Sequence, residues 1–314
     1  MSEQEKYIPK ITENAHIWFG ISGFFLILSL VGIIISFIKF GSPVLLGLDF
    51  KGGTKIEYKF SKITGELTSK NISKSILTKV HPELAESSIV QIANKNLLII
   101  RTRELNLDEK ELLEKTLAKE IGVFTPESVE TISPIIGPQL LWSGLLALIV
   151  AILGICIYVS YRFRQDFAIC TIIALIHDVF IVVGLFAWLG IFKNIEVNTL
   201  FLTACLTVLG FSVHDTIVVF DRIRENMKFL SKKNSFSQII NLSIGQVWFR
   251  SFCTSFTVLV VLLSLFLFGG DTTRIFSGSL FTGLLAGTYS SIFVAAILLD
   301  KWKKYTDKVS GKNK

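Results

Sequence analysis

VNTLFLTACLTVLGFSVHDTIVVFDRIREN, Val197 to Asn226, decides what kind of protein this is. From Val197 to Phe220 the run is apolar and long enough to cross the roughly 30 Å of hydrocarbon in a bilayer. Its only acidic or basic side chains are Asp215 and His214, and immediately after it come Asp221, Arg222, Arg224, Glu225 and Asn226. Outward from this span, five more runs of the same kind appear: about Ile17–Ile38, Gly137–Val159, Phe167–Leu189, Arg250–Phe268 and Ile275–Leu299. The first stands where a signal peptide would, but it is too long for one and no small-x-small cleavage site follows, so it reads as a retained anchor.

Composition agrees. Hydrophobic residues make up 51% of the 314 and charged residues 18%, against about a quarter charged in soluble proteins; the mean hydropathy is +0.58. A soluble enzyme and a free nucleic-acid binder are excluded. The net charge of +7 sits beside the spans, whereas Lys and Arg balance Asp and Glu between Gly41 and Pro134. Arg162 and Arg164 follow the second span. Arg222, Arg224, Lys228, Lys232 and Lys233 follow the fourth, and Lys301, Lys303, Lys304, Lys308, Lys312 and Lys314 follow the sixth. The alternate connections hold only Lys193 and Arg274. The positive-inside rule then places residues 1–16 and the basic tail 300–314 in the cytoplasm and 41–134 outside.

The outer stretch reads as a small α+β domain. Thr54–Phe60 alternates like a strand, Ser69–Val80 has helical spacing, and Ser88–Ile92 and Leu97–Arg101 are short strands about an Asn94–Asn96 turn. Leu107–Ile121 is a helix and Ser128–Ile132 a closing strand. The order β-α-β-β-α-β is that of a ferredoxin-like unit. The expected fold is therefore an α-helical polytopic membrane protein, with 17–38 the first transmembrane helix, 41–134 the extracytoplasmic domain and 137–299 a five-helix transmembrane domain.

Charge inside a span costs about 2.5–3.5 kcal/mol, so an intramembrane ionisable group is a functional candidate. His177 and Asp178 lie in the third span, His214 and Asp215 in the fourth, and Arg250 at or near the start of the fifth. Arg250, Thr254, Thr257 and Ser264 share one helical face, which should turn to protein or water. Asp178 has Ala174 and Thr171 on its own face, and Asp215 has Ser212. Two readings stand side by side: pairs that pin helices together, or a proton path of the Asp/His kind used by pumps. Ser279, Gly283, Gly287 and Ser291 recur every four residues in the sixth span, a close-packing face. Cys156, Cys170, Cys205 and Cys253 all lie within spans and suit neither a disulfide framework nor a zinc site. No P-loop or HExxH motif occurs, and Gly52-Gly53 precedes a strand, the wrong context for holding phosphate. No cofactor or metal is expected; on the proton-path reading the ions moved are protons.

Two segments carry a family resemblance. Gly47-Leu48-Asp49-Phe50-Lys51-Gly52-Gly53-Thr54 follows the first span, and the thirteen residues His214–Asn226 close the fourth. Together they resemble the SecD/SecF family of protein-export membrane proteins, and the ending VVFDRIREN resembles its SecF branch. Leu175–Val179, Gly137-Pro138 and Arg250 with Thr254-Ser255 add to the match. The resemblance implies a fold like the transmembrane half of resistance-nodulation-division transporters. It implies assembly with SecD beside the SecYEG channel, with SecA and YajC or YidC as further partners, and late, ATP-independent movement of unfolded polypeptide driven by the proton gradient. The family's proton-linked residues map onto Asp215 and Arg250, a third carboxylate belonging to SecD. His214, Asp178 and His177 are either relay members or helix pins. His214 stands where Asn is expected, able to titrate near neutrality or to hydrogen-bond as the amide would. Rival readings are a proton-coupled small-molecule exporter and a passive scaffold for SecD.

Overall fold

The computed structural model describes residues 10–60, 76–81, 84, 89–93, 97–231 and 233–309. In chain order the elements are α1 (Ala15–Phe40), α2 (Leu48–Lys51), β1 (Gly53–Phe60), β2 (Ile89–Ala93), β3 (Leu97–Thr102), α3 (Leu107–Glu120) and β4 (Phe124–Ile132). Then come α4 (Ile136–Arg162), α5 (Gln165–Lys193), α6 (Thr199–Leu230), α7 (Phe236–Phe268), α8 (Asp271–Ser290), a π-turn (Ser291–Ala295) and α9 (Ala296–Val309). Among the described residues six helices are long and apolar enough to cross a membrane, α8, the π-turn and α9 counting as one. The chain divides into two compact units, one of residues 46–144 and one of the remainder.

The 46–144 unit is a four-stranded antiparallel sheet of order β2-β3-β1-β4. That is the ferredoxin-like arrangement expected from the element order, with β1 central and hydrogen-bonded to both β3 and β4. Alternation places Ile56, Tyr58 and Phe60 in the core and leaves Lys55, Glu57 and Lys59 on the other face, where Lys55 pairs with Glu57 at 2.6 Å. Leu113 and Leu117 of α3 close over the core. α3 starts at a capping box between Asn106 and Glu109, and Arg103 holds the same Glu109 at 2.6 and 3.1 Å. β4 is an edge strand, which is why Pro126 is tolerated in it. Of the second expected helix, Ser69–Val80, the residues 69–75 lie outside those described, as does the Asn94–Asn96 turn; Thr78–Val80 is helical.

The glycine motif opens this unit. Gly52 and Gly53 adopt φ of +72° and +122°, angles open to residues without a Cβ. A Cβ on Gly52 would lie 2.6 Å from Pro134 Cα, and one on Gly137 would lie 2.7 Å from Gly52 N. The glycines thus form a tight turn that lets the chain start β1 against the segment by which it leaves β4.

The other unit has an apolar interior around Phe167, Phe220, Ile223 and Ile244, but its first helix packs through small and polar residues and turns large apolar ones outward. On α1, Ser22, Ser29, Gly32 and Ser36 are buried while Phe24, Ile27 and Ile38 are exposed. Ser29 meets Gly184 of α5, and a Cβ on Gly32 would come within 2.7 Å of the Trp188 indole. Without a hydrophobic drive between helices in lipid, small residues that permit close approach decide the contact.

Three helices depart from the expected spans. α6 runs ten residues past Phe220, and α7 begins at Phe236 rather than near Arg250. A 33-residue helix is about 50 Å long, more than a bilayer needs. Its first half mixes Gln238, Asn241, Ser243 and Gln246 among apolar residues, which lowers local hydropathy while Ser235 caps the true start through Gln238. The basic tail, expected to follow the sixth span, continues it as helix α9 to Val309.

Candidate functional site

α6 and α8 meet along a ladder with rungs four residues apart. Gly283 packs on Val208, and Gly287 on Ser212, where an added Cβ would lie 3.2 Å from Ser212 Cα. Thr216 and Ser291 hydroxyls bond at 2.8 Å. The small-residue face of the sixth span therefore packs within this chain, against α6. The ladder brings two carboxylates to one turn of α8.

The first is Asp178 on α5, fully buried. Its Oδ2 accepts hydrogen bonds from Ser212 of α6 at 2.5 Å and from Ser290 of α8 at 2.7 Å. Its Oδ1 lies 2.9 Å from His177 Nδ1. The second is Asp215 on α6, whose Oδ2 accepts from Ser255 of α7 and Thr288 of α8, both at 3.3 Å. The Thr288 hydroxyl also lies 2.9 Å from Ser255 Oγ, so its single proton is shared between Asp215 and Ser255. His214 Nδ1 stands 3.8 Å from Asp215 Oδ1, with its side chain 71% exposed.

Arg250 does not join Asp215. It is exposed on α7, and among the described residues it makes no ion pair with Asp215; Ser255, five residues on, faces the carboxylate instead. Ser251, Ser255 and Leu262 form the buried stripe of α7. The stripe Arg250, Thr254, Thr257 and Ser264 is real but turns outward, with its three hydroxyls bonded to carbonyls of the preceding turn. On α6 the exposed Thr203, Gly210 and His214 form a matching polar face.

The Asp221–Asn226 motif makes a clamp rather than a reaction centre. Arg222 Nε donates to Gln246 at 2.6 Å, and its guanidinium holds Glu225 at 2.6 Å. Asn226 donates to Ser243 at 2.9 Å and Gln246 at 2.8 Å. Asp221 lies 3.1 Å from Arg224, which donates to the Arg162 carbonyl at the end of α4. In the glycine motif Phe50 is buried, and Gly47 and Asp49 sit at the start of α2.

Ser290 and Thr288, which carry much of the carboxylates' hydrogen bonding, are absent from the residues singled out in the sequence. Their only signal is the polar run Thr288-Tyr289-Ser290-Ser291 inside an otherwise apolar span.

Residues 113–305 match the family model "Protein export membrane protein SecD/SecF, C-terminal", and residues 40–62, which hold the glycine motif, match "SecD/SecF GG Motif". The chain is 36% identical over 294 residues to the protein translocase subunit SecF of Synechocystis sp., covering 91% of each. It is 38% identical over 271 residues to that of Thermobaculum terrenum, covering 82% of this chain and 84% of the relative. It also resembles the crystal structure of SecDF, a translocon-associated membrane protein from a Thermus species, with a TM-score of 0.79 at 28% identity over 93% of this chain. SecDF in its super-membrane-facing form gives a TM-score of 0.65. This chain spans 38% of the length of the first of those SecDF chains. With relatives of this identity along nearly its whole length, the chain is a multi-pass membrane protein that belongs to the SecD/SecF family of protein-export membrane proteins.

Proposed function

We propose that this chain is the SecF-type subunit of the Sec protein-export machinery. It assembles with a SecD-type subunit beside the SecYEG channel, with SecA and YajC or YidC as further partners. The complex uses the proton motive force, not ATP, to promote late movement of unfolded polypeptide out of the cytoplasm. The chain is an accessory of translocation rather than an enzyme. It resides in the cytoplasmic membrane with both termini inside and residues 41–134 outside.

The observation that carries this reading is the outward polar face of α6 and α7. Arg250, Thr254, Thr257 and His214 are exposed on helices that cross the membrane. A charge facing lipid costs about 2.5–3.5 kcal/mol, so a second membrane subunit with a carboxylate of its own covers this face. Asp215 lies at its edge, 12% exposed, within reach of water trapped between the subunits. Ionised, it accepts from both Ser255 and Thr288; protonated, it gains a donor and that pattern must change. One proton crossing releases about 2.3 kcal/mol per 100 mV, and protonation biases the helices between two arrangements as far as the two states bind the proton differently.

The test is proton-driven export from membrane vesicles. Asp215→Asn keeps the shape and hydrogen bonding but cannot titrate. Complexes carrying it should assemble and lose gradient-stimulated release, as should Arg250→Met, while His214→Asn stays close to wild type. Full stimulation by assembled Asp215→Asn complexes would overturn the relay and favour a scaffold.

A further inference from the structure

The relay above leaves a second buried carboxylate without a task. Asp178 takes a hydroxyl from each of Ser212 and Ser290 on one oxygen and faces His177 Nδ1 with the other. A buried carboxylate needs donors, so Nδ1 carries the ring's hydrogen. In the neutral ring Nε2 is then a bare acceptor. It is buried, and among the described residues no group bonds to it; the side chain is 4% exposed. Leaving such an atom unsatisfied is costly, and a pair that only pinned helices would have no use for it. The ring stands at the wall of an open groove of about 480 Å³ between α1, α5 and the last span, whose lining is apolar apart from His177 itself and Ser22.

Other titratable groups near the pair are few. From α8 comes Tyr289, its ring centroid 6.5 Å from that of His177 and its hydroxyl held by Ser22 and by the Trp18 carbonyl. From α6 comes Asp215, one turn from Ser212 and held on the other side of the ladder by Ser255 and Thr288. The α1 segment 17–38 contains no charged residue.

One turn of α8 touches both sites. Thr288 bonds Asp215 and Ser290 bonds Asp178, while the next residue, Ser291, bonds Thr216. At Ser291 the helix widens into the π-turn Ser291–Ala295, a break in regular hydrogen bonding of the sort that recurs at functional sites.

We propose that His177 and Asp178 form a second proton-holding site, coupled to Asp215 through the Thr288–Ser291 turn. A hydronium that reaches the ring gives its proton to Nε2: one of its O–H bonds breaks, an N–H bond forms and water is released. The pair is then imidazolium beside carboxylate. Passing the Nδ1 proton to Asp178 Oδ1 breaks that N–H bond, makes an O–H bond, and leaves a neutral ring with its hydrogen on Nε2. One proton has been gained in all. The inference rests on the proposed proton-driven role, but its test needs neither partner nor export.

The experiment is pH-difference infrared spectroscopy of the full chain in lipid nanodiscs, reading the stretch of protonated aspartates. Two titrating carboxyl bands are expected, one lost in Asp215→Asn and one in Asp178→Asn. His177→Gln keeps a donor to Asp178 but cannot take a proton, and should move the Asp178 midpoint by about one pH unit or more. Asp215→Asn should move the same midpoint by a smaller amount, and Thr288→Val, which cuts the link, should abolish that shift. Should Asp178→Asn fail to fold, the response to His177→Gln assigns the band. An Asp178 band that is absent or constant over about pH 4 to 9, a range spanning histidine titration, would overturn the site; a band indifferent to Asp215 and Thr288 would overturn the coupling. Loss of the Asp215 effect on export with an intact Asp178 titration would instead sink the relay alone.

Discussion

Replacing Gly283 by alanine puts a methyl group where both γ-methyls of Val208 already stand. Both residues are on helix interiors, α8 and α6, so neither backbone can step aside without disturbing the rungs at Ser212–Gly287 and Thr216–Ser291. Overpacking of this kind costs about 1–3 kcal/mol. A midpoint of 2 kcal/mol is about a thirtyfold change in the folded-to-unfolded ratio, at RT near 0.59 kcal/mol. Val208→Ala removes the two methyls and leaves a cavity of its own. In the double variant the new alanine at 283 fills part of that space. The two changes should therefore couple favourably by about 1–3 kcal/mol, the range for residues in contact. The assay is equilibrium unfolding in mixed detergent micelles for wild type, the two single variants and the pair. Additive costs would refute the close α6–α8 packing, and so would an unperturbed Gly283→Ala.

Topology and the outer unit supply two further tests. With the four native cysteines replaced, Thr125→Cys in β4 should react with a membrane-impermeant thiol reagent added outside intact cells; reaction only after disruption would invert the assignment. Glu109 is held below the usual carboxylate range, first by the hydrogen bonds from Arg103 and then by the Asn106 backbone. Because its folded value is lowered, the stabilisation is fully present above the unfolded value of about 4.3 and fades as pH falls through the folded one. The protection factors of amides at the start of α3, which take out the intrinsic slowing of exchange in acid, should therefore fall on acidification below that point. Glu109→Gln should flatten the response, and an unchanged acid profile in that variant would remove Glu109 from the cause.

The spans were legible because an apolar run of this length has one economical use, and the sheet order because its strands alternate so clearly at Ile56, Tyr58 and Phe60. What could not be read was direction. Helical spacing groups Arg250, Thr254, Thr257 and Ser264 on one face, but nothing in the spacing says whether that face turns inward. Serines and threonines in spans bond carbonyls of their own helix, as Thr254, Thr257 and Ser264 do. Their presence therefore does not mark an inward face, and Ser255 stands out only once α6 is beside it. The helix ends were hidden for a different reason. Asp221 to Leu230 and Phe236 to Phe249 carry enough polar residues to lower hydropathy, yet they continue α6 and α7 because their side chains hydrogen-bond one another. His177 and Asp178 were visible as costly residues, and the structure adds their serine donors and the bare Nε2.

The most specific stretch of the sequence, VVFDRIREN, contributes no chemistry of its own, and its contacts say why it matters. Asn226 reaches Ser243 and Gln246, Arg222 reaches Gln246, and Asp215 reaches Ser255. Residue numbers fall along α6 as they rise along α7, as antiparallel helices in fixed register require. On the adjoining face, Val208, Ser212 and Thr216 meet Gly283, Gly287 and Ser291 with both numbers rising by four, the mark of parallel helices. α6 is thus held in two registers at once. Asp215 lies where these registers meet, with a hydroxyl from α7 and another from α8 on the same oxygen. A slip of one residue on either side would turn Ser255 or Thr288 away by about 100° and leave a buried carboxylate short of donors. The clamp at the helix ends is therefore a condition for the carboxylate site, roughly two to three turns away, and a change of charge at Asp215 acts on both ladders together.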